Sequence, residues 1–362
     1  MLMNKSKILF VLPTLKQDGA EVQISNLLSC FKNFKVDIFT FDTYKEGSSI
    51  LNDLGDVQVF TKNGHTNFRA LKKIVDNNKY EIIHSHLPRA DFYVGILRII
   101  SRNFKHLVTV HAQYGDRAGE PKLKYFIFNL LWRIILNNSD GVIAISNKIH
   151  NWLLNKRGIH KNKITTIHYG VQIKERINKT EFKNVIGTAA RFLPWKGWTK
   201  VIETAAKLRD LNLDFKLLLA GSDDENYKQK LQNIVKINNL DDYVIFEEHY
   251  ENIDNFFEKI DLFLFLTESE GFGLVVLEAI ENNIPVVCSN IEPLSEFVDD
   301  SYKTLVNREN TDDIANLVFN IMKDTDLIKQ IQLKQKSKIK KEFLINHSAE
   351  KYEKFYINLL NN

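Results

Sequence analysis

Residues able to do chemistry are concentrated in one stretch, Thr267–Glu278, which reads T-E-S-E-G-F-G-L-V-V-L-E. Its two glycines precede an apolar-periodic run typical of a helix. They would place free backbone N–H groups and a partial positive charge at the helix start, which suits a phosphate. Glu278, one turn into that helix, could accept hydrogen bonds from a ribose diol, and Glu270 from sugar hydroxyls. The alternative is an ordinary α/β turn with solvated acids.

A second set of residues supplies positive charge. Arg191 and Lys196 lie within one loop, A-A-R-F-L-P-W-K-G, which follows an apolar run typical of a strand. Together with nearby backbone amides, two cations could neutralise a diphosphate leaving group, and no metal is then required. Each cation taken alone would more often be a surface charge. The amides assigned to this site belong to Gly271, Phe272 and Gly273, with Leu274 beside them.

Metal-binding patterns are not evident in the sequence. No closely spaced Asp-x-Asp pair ends a strand, no His/Cys cluster is present, and His84 and His86 stand alone. We therefore predict no metal site and no cofactor.

The candidate residues share one position relative to the strands. Ligands bind beyond the carboxyl ends of the strands in open parallel sheets. Five points in the sequence follow candidate strands in this way: Gly19, His111, the loop with Arg191 and Lys196, Gly221, and Glu270. Two such edges that face each other would make one cleft. Loops collect polar residues in any case, so chance placement is the alternative.

His111 has two interpretations. A lone histidine at a strand end is most often a structural residue. Here a polar loop, A-Q-Y-G, follows it, so the side chain could point into a cleft and bond a sugar hydroxyl.

Short apolar runs alternate with longer helical patterns along the whole chain. Such alternation predicts parallel sheets covered by helices on both faces. Because the pattern occurs twice, we predict two Rossmann-like domains in tandem, joined by a polar linker near Gly170–Asn184. The predicted strands are Ile8–Leu12, Val36–Phe41, Val57–Phe60, Ile82–His84, Leu107–Val110, Val142–Ile145, Ile164–Ile167, Val185–Thr188, Phe215–Ala220, Val244–Phe246, Leu262–Leu266 and Val286–Cys288.

Length and composition agree with this organisation. A chain of 362 residues exceeds what one core usually supports, and 44% hydrophobic with 26% charged residues is typical of a soluble globular protein. The net charge of +4 does not indicate a nucleic-acid binder. Cys30 and Cys288 lie far apart in apolar settings and are expected to be buried thiols, which suits a reducing compartment. We expect neither a signal peptide nor a transmembrane helix.

These residues and their order in the chain resemble those of a known family, the retaining nucleotide-sugar glycosyltransferases of family four, or group 1, with the GT-B fold. The central match is Glu270 to Glu278, which is similar to the family's E-x7-E pattern with its G-F-G core. The resemblance covers nearly the whole chain in order. Further matches are Gly19-Ala20-Glu21, Val110-His111, Ala144-Ile145-Ser146, Tyr169-Gly170-Val171, Arg191, Lys196-Gly197, Gly221, Pro285-Val286-Val287 and Glu296.

The resemblance implies a role for each candidate residue. Arg191 and Lys196 would hold the donor diphosphate, and Glu278 would bind the ribose. His111 would contact the donor sugar near the reacting carbon. Gly19 would let the first loop approach the phosphate and the acceptor, although Asp18 stands where the family usually has another glycine. Glu270 and the amides of Phe272 and Gly273 would meet the donor sugar, with Gly221, Gly271 and Leu274 also at the donor.

The resemblance also implies a domain arrangement. Two Rossmann-like domains of the α/β class would face each other across a cleft. Residues 1–172 would form the acceptor domain and residues 173–346 the nucleotide-sugar donor domain. The last helix, within residues 347–362, would pack back on the first domain.

We predict transfer of a sugar from a nucleotide diphosphate donor, a UDP-sugar, to a hydroxyl group, and the resemblance implies that the anomeric configuration is retained. The acceptor would be a lipid-linked oligosaccharide or a cell-envelope polysaccharide. Two alternatives are a nucleotide-sugar isomerase on the same fold and a non-catalytic nucleotide-sugar-binding subunit. No nucleic-acid partner is expected, and the protein is expected in the cytoplasm, at the inner face of the cell membrane.

Membrane contact is suggested by one apolar helix pattern. A core helix is the other interpretation, and the more common one for such a pattern. The segment contains Phe126, Phe128, Trp132 and Ile135, with Lys122, Lys124 and Arg133 nearby.

Overall fold

A computed structural model gives the structure of residues 6–16, 18–42, 50, 54–62, 66–114, 122–173, 181–223 and 226–361. The strands are β1 (Lys7–Leu12), β2 (Lys35–Thr40), β3 (Val59–Phe60), β4 (Ile82–His86), β5 (Lys105–Val110), β6 (Gly141–Ala144), β7 (Ile164–Thr166), β8 (Val185–Ala189), β9 (Lys216–Ala220), β10 (Val244–Glu247), β11 (Leu262–Phe265), β12 (Val286–Ser289) and β13 (Leu305–Val306). The helices are α1 (Gly19–Leu28), α2 (Asn67–Asn78), α3 (Pro88–Ile100), α4 (Lys122–Asn138), α5 (Asn147–Asn155), α6 (Trp198–Asp210), α7 (Tyr227–Ile237), α8 (Asp254–Phe257), α9 (Leu274–Glu281), α10 (Leu294–Phe297), α11 (Thr311–Lys323), α12 (Thr325–Glu342) and α13 (Ile345–Asn361).

The predicted alternation of strands and helices is confirmed. Each of the twelve predicted strands is present, with its ends within two residues of the prediction. The strand β13 was missed, because two residues are too short to carry a periodic pattern. Of the predicted linker, residues 174–180 lie outside the described part of the chain.

The chain divides into two compact units, Met1–Gly170 with Ile345–Asn362, and Val171–Leu344. The first unit contains a seven-stranded parallel sheet in the order β3-β2-β1-β4-β5-β6-β7. Successive residues of its strand β1 point to opposite faces, and both sets are buried. Ile8 and Phe10 pack into the core on the side of α1 and α13, whereas Leu9 and Val11 pack among residues of α2 and α3. Burial on both faces explains the unbroken apolar run.

The last helix, α13, is anchored to the first unit by buried polar contacts. The Glu353 carboxylate accepts hydrogen bonds from the backbone N–H groups of Lys32 (2.8 Å) and Asn33 (2.6 Å) and from the Asn33 side chain (2.7 Å). The Tyr356 hydroxyl lies 2.9 Å from Nδ1 of His84 in β4. These contacts join residues about 270 or more positions apart and place α13 beside β1 and β4.

The second unit contains a six-stranded parallel sheet in the order β10-β9-β8-β11-β12-β13. The order reverses direction between β8 and β11, so the loops after these two strands diverge at one point of the sheet edge. Ligands bind at such a switch point in open parallel sheets. Both loops contain residues that we predicted from the sequence to form the functional site.

The two thiols do not form a disulfide: Cys30 and Cys288 are free. Among the described residues, no helix combines the length and the apolar character that crossing a membrane requires.

Candidate functional site

The loop after β8 carries Arg191 on a backbone that is tied to β9. The Ala190 N–H donates to the carbonyl of Ala220 (3.0 Å), and the Phe192 N–H donates to the carbonyl of Ser222 (2.8 Å). A Cβ at Gly221 would lie 1.8 Å from the carbonyl oxygen of Ala190. Only glycine therefore allows these two segments of the backbone to lie this close beyond the ends of β8 and β9.

Arg191 presents its guanidinium to solvent while its backbone is held. Its carbonyl accepts a hydrogen bond from the indole N–H of Trp198 (3.1 Å), and the Trp198 ring is buried against Phe192. Among the described residues, no carboxylate lies within 4.0 Å of the guanidinium, and the side chain is exposed. The cation is thus available to an anion at the carboxyl end of β8.

Gly197 brings the same loop against the end of β11. Its φ is +78°, and a Cβ there would lie 1.8 Å from the carbonyl oxygen of Leu266. The neighbouring carbonyl of Trp195 accepts hydrogen bonds from the Glu268 N–H (2.8 Å) and the Thr267 hydroxyl (3.2 Å). The loops after β8 and β11 are therefore joined through their backbones.

Lys196 and Glu270 complete this junction. The Lys196 ammonium lies 2.7 Å from Oε1 of Glu270, and the two side chains are 16% and 10% exposed. The ammonium also lies 5.9 Å from the centre of the Phe265 ring. Partial burial limits screening by solvent, so the pair orients both side chains at the switch point.

The turn that leads into α9 is held by packing. Phe272 is buried, and its ring stacks on that of Phe297 (centroids 5.1 Å apart, planes at 18°). Gly273 has φ +93° and caps α9, and a Cβ there would lie 2.4 Å from Cδ2 of Leu294. The side chain of Phe272 is thus part of the core, and only backbone groups near Gly271, Phe272 and Gly273 are able to meet a ligand.

Leu274 is the first residue of α9, and Glu278 lies one turn further on. Residues four apart lie on the same side of a helix, so the half-buried carboxylate of Glu278 is on the side of Leu274. The amino end of α9 and this carboxylate therefore lie on neighbouring turns.

His111, in the first unit, belongs to a buried hydrogen-bonded group at the carboxyl ends of β4 and β5. Its Nε2 lies 3.1 Å from Nδ1 of His86, and its Nδ1 bonds the hydroxyl of Tyr169. The rings of His86 and His84 lie 4.2 Å apart, so the sequence interpretation that these two histidines stand alone is wrong. His84 and His86 lie two residues apart in β4, and the pairing of β4 with β5 places His111 beside His86.

Burial keeps these imidazoles neutral. It lowers the pKa of His111 to about 3 and holds the pKa of His86 well below its ordinary value. Neutral His111 can exchange hydrogen bonds with a hydroxyl but does not carry a positive charge at neutral pH. No role at the site was predicted for His86, and Tyr169 was named only among the residues that are similar to the family; both follow predicted strands, Ile82–His84 and Ile164–Ile167, where ligand-binding residues are expected.

The amino end of α1 holds the remaining candidate. Gly19 is its first residue and is exposed, and Asp18 precedes it without a side-chain capping bond. Glu21, one turn in, is buried, and burial raises its pKa to about 7. Gln17, of the same predicted loop, lies outside the described residues.

The candidates fall into two groups. Gly19 and His111 lie in the first unit, at the carboxyl ends of β1 and β5. The second unit holds the other nine: Arg191, Lys196, Gly221, Glu270, Gly271, Phe272, Gly273, Leu274 and Glu278. No group of three or more His, Cys, Asp or Glu side chains among the described residues is arranged to hold a metal ion.

Comparison with known proteins agrees with this architecture. The model of glycosyltransferase family 4 matches residues 18–175, and the model of glycosyl transferases group 1 matches residues 172–340. The O-antigen biosynthesis glycosyltransferase WclY of Escherichia coli is 27% identical over 371 residues, 98% of each chain. The N-acetyl-alpha-D-glucosaminyl L-malate synthase of Bacillus anthracis is 24% identical over 307 residues, 80% of this chain and 78% of that protein.

A solved structure shares the fold. Anabaena HepE, in complex with UDP and glucose, superposes with a TM-score of 0.83 at 17% identity, over 98% of this chain and 100% of that one. Two α/β units with parallel sheets and this likeness show the GT-B fold. Both family models are of glycosyltransferases, so the protein is an enzyme of that class. The chain belongs to the group 1 glycosyltransferases of family 4, since the two family models together span residues 18–340.

Proposed function

We propose that the enzyme transfers a sugar from a UDP-sugar, with retention of anomeric configuration, to a hydroxyl of a lipid-linked oligosaccharide or cell-envelope polysaccharide. The observation that carries the proposal is the junction at the switch point of the second unit. There Lys196 pairs with Glu270 (2.7 Å) in the loop that leads to the amino end of α9, and Arg191 lies exposed in the loop after β8.

The donor class is supported by charge. Two cations and a helix start suit the diphosphate of a nucleotide sugar, and the Glu278 carboxylate suits a ribose diol. The structure of HepE, which shares the fold, was determined with UDP and with glucose. This supports uridine as the nucleoside.

The acceptor class is supported by the relatives. WclY of Escherichia coli is named for O-antigen biosynthesis, and CapM of Staphylococcus aureus, 24% identical over 293 residues, for capsular polysaccharide biosynthesis. We extend this class of glycan acceptor to the present chain.

The proposed reaction proceeds on the front face of the donor sugar. The acceptor oxygen forms a bond to the anomeric carbon on the side from which the diphosphate leaves. The bond from that carbon to the diphosphate oxygen breaks, and the leaving phosphate oxygen takes the hydroxyl proton. Arg191, Lys196 and the amides that begin α9 stabilise the negative charge that accumulates on the diphosphate, so we propose that no metal or cofactor takes part.

Removal of the cations tests the assignment. Arg191→Ala or Lys196→Ala is expected to lower kcat by about 10²–10³-fold, because each removes charge stabilisation at the leaving group. Lys207→Ala, which removes an exposed ion pair of α6, is the matched control and is expected to keep the parent rate. A double variant of Arg191 and Lys196 that turns over at the parent rate would show the assignment to be wrong.

The donor is identified by a thermal-shift panel of UDP-, GDP- and ADP-sugars. A donor present at about 100 times its Kd stabilises the folded protein by about 2.7 kcal/mol, so the true nucleotide raises the Tm most. Slow release of free UDP from the donor alone is expected of a transferase, whereas a binding subunit or an isomerase would release none.

A further inference from the structure

The helix α4 carries apolar residues on two sides, and only one side is covered. Trp132 and Leu136 are fully buried, and Ile135 is nearly so. The other side is a stripe that we call the α4 apolar face. It consists of Leu123, Phe126, Ile127, Leu130, Leu131 and Ile134, each between 45% and 70% exposed.

The spacing of the α4 apolar face is that of an amphipathic helix. Its members are separated by three and four residues, which places them along one side of the helix. Trp132 and Ile135 follow the core-helix interpretation of this segment, because both are buried and the Trp132 indole N–H donates to Asp91 (2.9 Å). Phe126, from the same set, belongs to the exposed stripe.

The neighbouring helix α3 adds to the exposed apolar area. Phe92 of α3 contacts Phe128 of α4 (centroids 5.6 Å apart). The carboxyl end of α3 exposes three isoleucines: Ile96, Ile99 and Ile100. Soluble monomers seldom expose large contiguous apolar surfaces without a partner.

Positive charge accompanies this surface. Between Phe92 and Ile173 the sequence has 12 Lys and Arg against three Asp and Glu, a net +9, whereas the whole chain is +4 and the remainder is therefore −5. The helices α3, α4 and α5 connect successive parallel strands of one half-sheet, so right-handed crossovers place them on one side of it. Exposed cations of this segment are Arg102, Lys124, Arg133, Lys156 and Lys161.

We propose that the α4 apolar face and its surrounding cations dock the protein on the surface of an anionic lipid bilayer. Apolar side chains of an amphipathic surface enter the boundary between headgroups and acyl chains, and Lys and Arg bind anionic headgroups. A second copy of the chain is a poorer partner, because a twofold contact would set two such cationic surfaces against each other. The inference is independent of the proposed donor and acceptor.

Flotation of the full-length chain with vesicles tests the proposal. We expect the protein to float with vesicles in which about a third of the lipid is phosphatidylglycerol and to remain unbound with pure phosphatidylcholine at the same salt concentration. Phe126→Ser with Leu130→Ser is expected to lower the partition coefficient at least about tenfold, and Arg102→Gln with Lys124→Gln about tenfold.

Matched controls distinguish binding through this surface from non-specific binding by other exposed apolar side chains. Ile237→Ser and Leu333→Ser replace side chains of the second unit that are 79% and 72% exposed, and both should leave flotation unchanged. All variants should keep the parent Tm, since the replaced side chains are exposed. The proposal fails if the parent does not bind anionic vesicles, if the controls reduce binding equally, or if light scattering shows a dimer that Phe126→Ser with Leu130→Ser dissociates.

Discussion

The ammonium of Lys196 and the carboxylate of Glu270 lie 2.7 Å apart, although 74 positions separate them in the sequence. They join the loop after β8 to the loop after β11, the two strands at which the order of the second sheet reverses. Glu270 therefore neutralises a cation that we propose binds the donor diphosphate. A phosphate that binds there has to compete with Glu270 for the ammonium.

Glu270→Gln is expected to strengthen the binding of free UDP by several-fold and to lower kcat by at least about tenfold. The amide removes the negative charge that competes with phosphate, and it also removes the carboxylate proposed to meet the donor sugar. Calorimetric titration with UDP and steady-state kinetics measure the two effects separately. Glu268→Gln is the control, because that carboxylate is 67% exposed and pairs with Arg308 (3.3 Å). Weaker UDP binding by Glu270→Gln would contradict the competition.

Gly221→Ala and Gly197→Ala are each expected to destabilise the second unit by about 1–3 kcal/mol and to weaken UDP binding about tenfold. In both, the new Cβ would lie 1.8 Å from a backbone oxygen, so the loops that carry Arg191 and Lys196 have to move. Thermal unfolding and UDP titration provide the measurements. Gly55→Ala is the control, since Gly55 also has a positive φ, +56°, but no atom within 4 Å of the added Cβ. Its UDP affinity should equal that of the parent.

The first unit is expected to lose stability as the pH falls from about 6.5 to about 4.5. Burial lowers the pKa of four histidines there: His106 and His111 to about 3, and His84 and His86 well below the ordinary 6.5. The four neutral imidazoles contribute fully to the free energy of unfolding above pH 6.5. This contribution is lost as the pH falls, because imidazoles of the unfolded chain then take up protons. Burial raises the pKa of Glu21 and Asp91 to about 7, and their contribution has the opposite sign, being lost as the pH rises towards 7.

Four imidazoles against two carboxyls leave a net uptake of about two protons on unfolding, or about 3 kcal/mol per pH unit. Urea denaturation across this pH range measures the slope. His106→Asn should reduce it by about one proton, or about 1.4 kcal/mol per pH unit. A free energy of unfolding that rises with acid would contradict the prediction.

Glu353→Ala is expected to destabilise the first unit by about 2–4 kcal/mol and to expose α13 to proteolysis. The buried carboxylate accepts three hydrogen bonds from Lys32 and Asn33, and alanine leaves these donors without it. Chemical denaturation and limited proteolysis are the measurements. Glu350→Ala, an exposed residue of the same helix, is the control and should behave as the parent. Equal protease resistance of both variants would show that Glu353 does not anchor α13.

The strands and the positions of most candidate residues were predictable because they follow from local chemistry. Strands buried on both faces are mostly apolar, so most of their runs are visible in the sequence, and the residues after them lie at the carboxyl edge of a sheet. The E-x7-E pattern and the glycines near Gly273 could also be recognised, because they are short patterns of residues that are close together in the sequence. The reason for Gly197 and Gly221 is tertiary, since their backbones approach the carbonyl oxygens of Leu266 and Ala190, which lie in other loops of the fold.

The sequence alone determined the α/β fold, the two parallel sheets and the family, since apolar period and short local patterns carry that information. Only the tertiary structure decided that Lys196 pairs with Glu270, that His86 joins His111, and which side of α4 is covered. These relationships depend on which strands become neighbours and how the helices pack on them. Such contacts join distant parts of the chain, and no local pattern of residues specifies them.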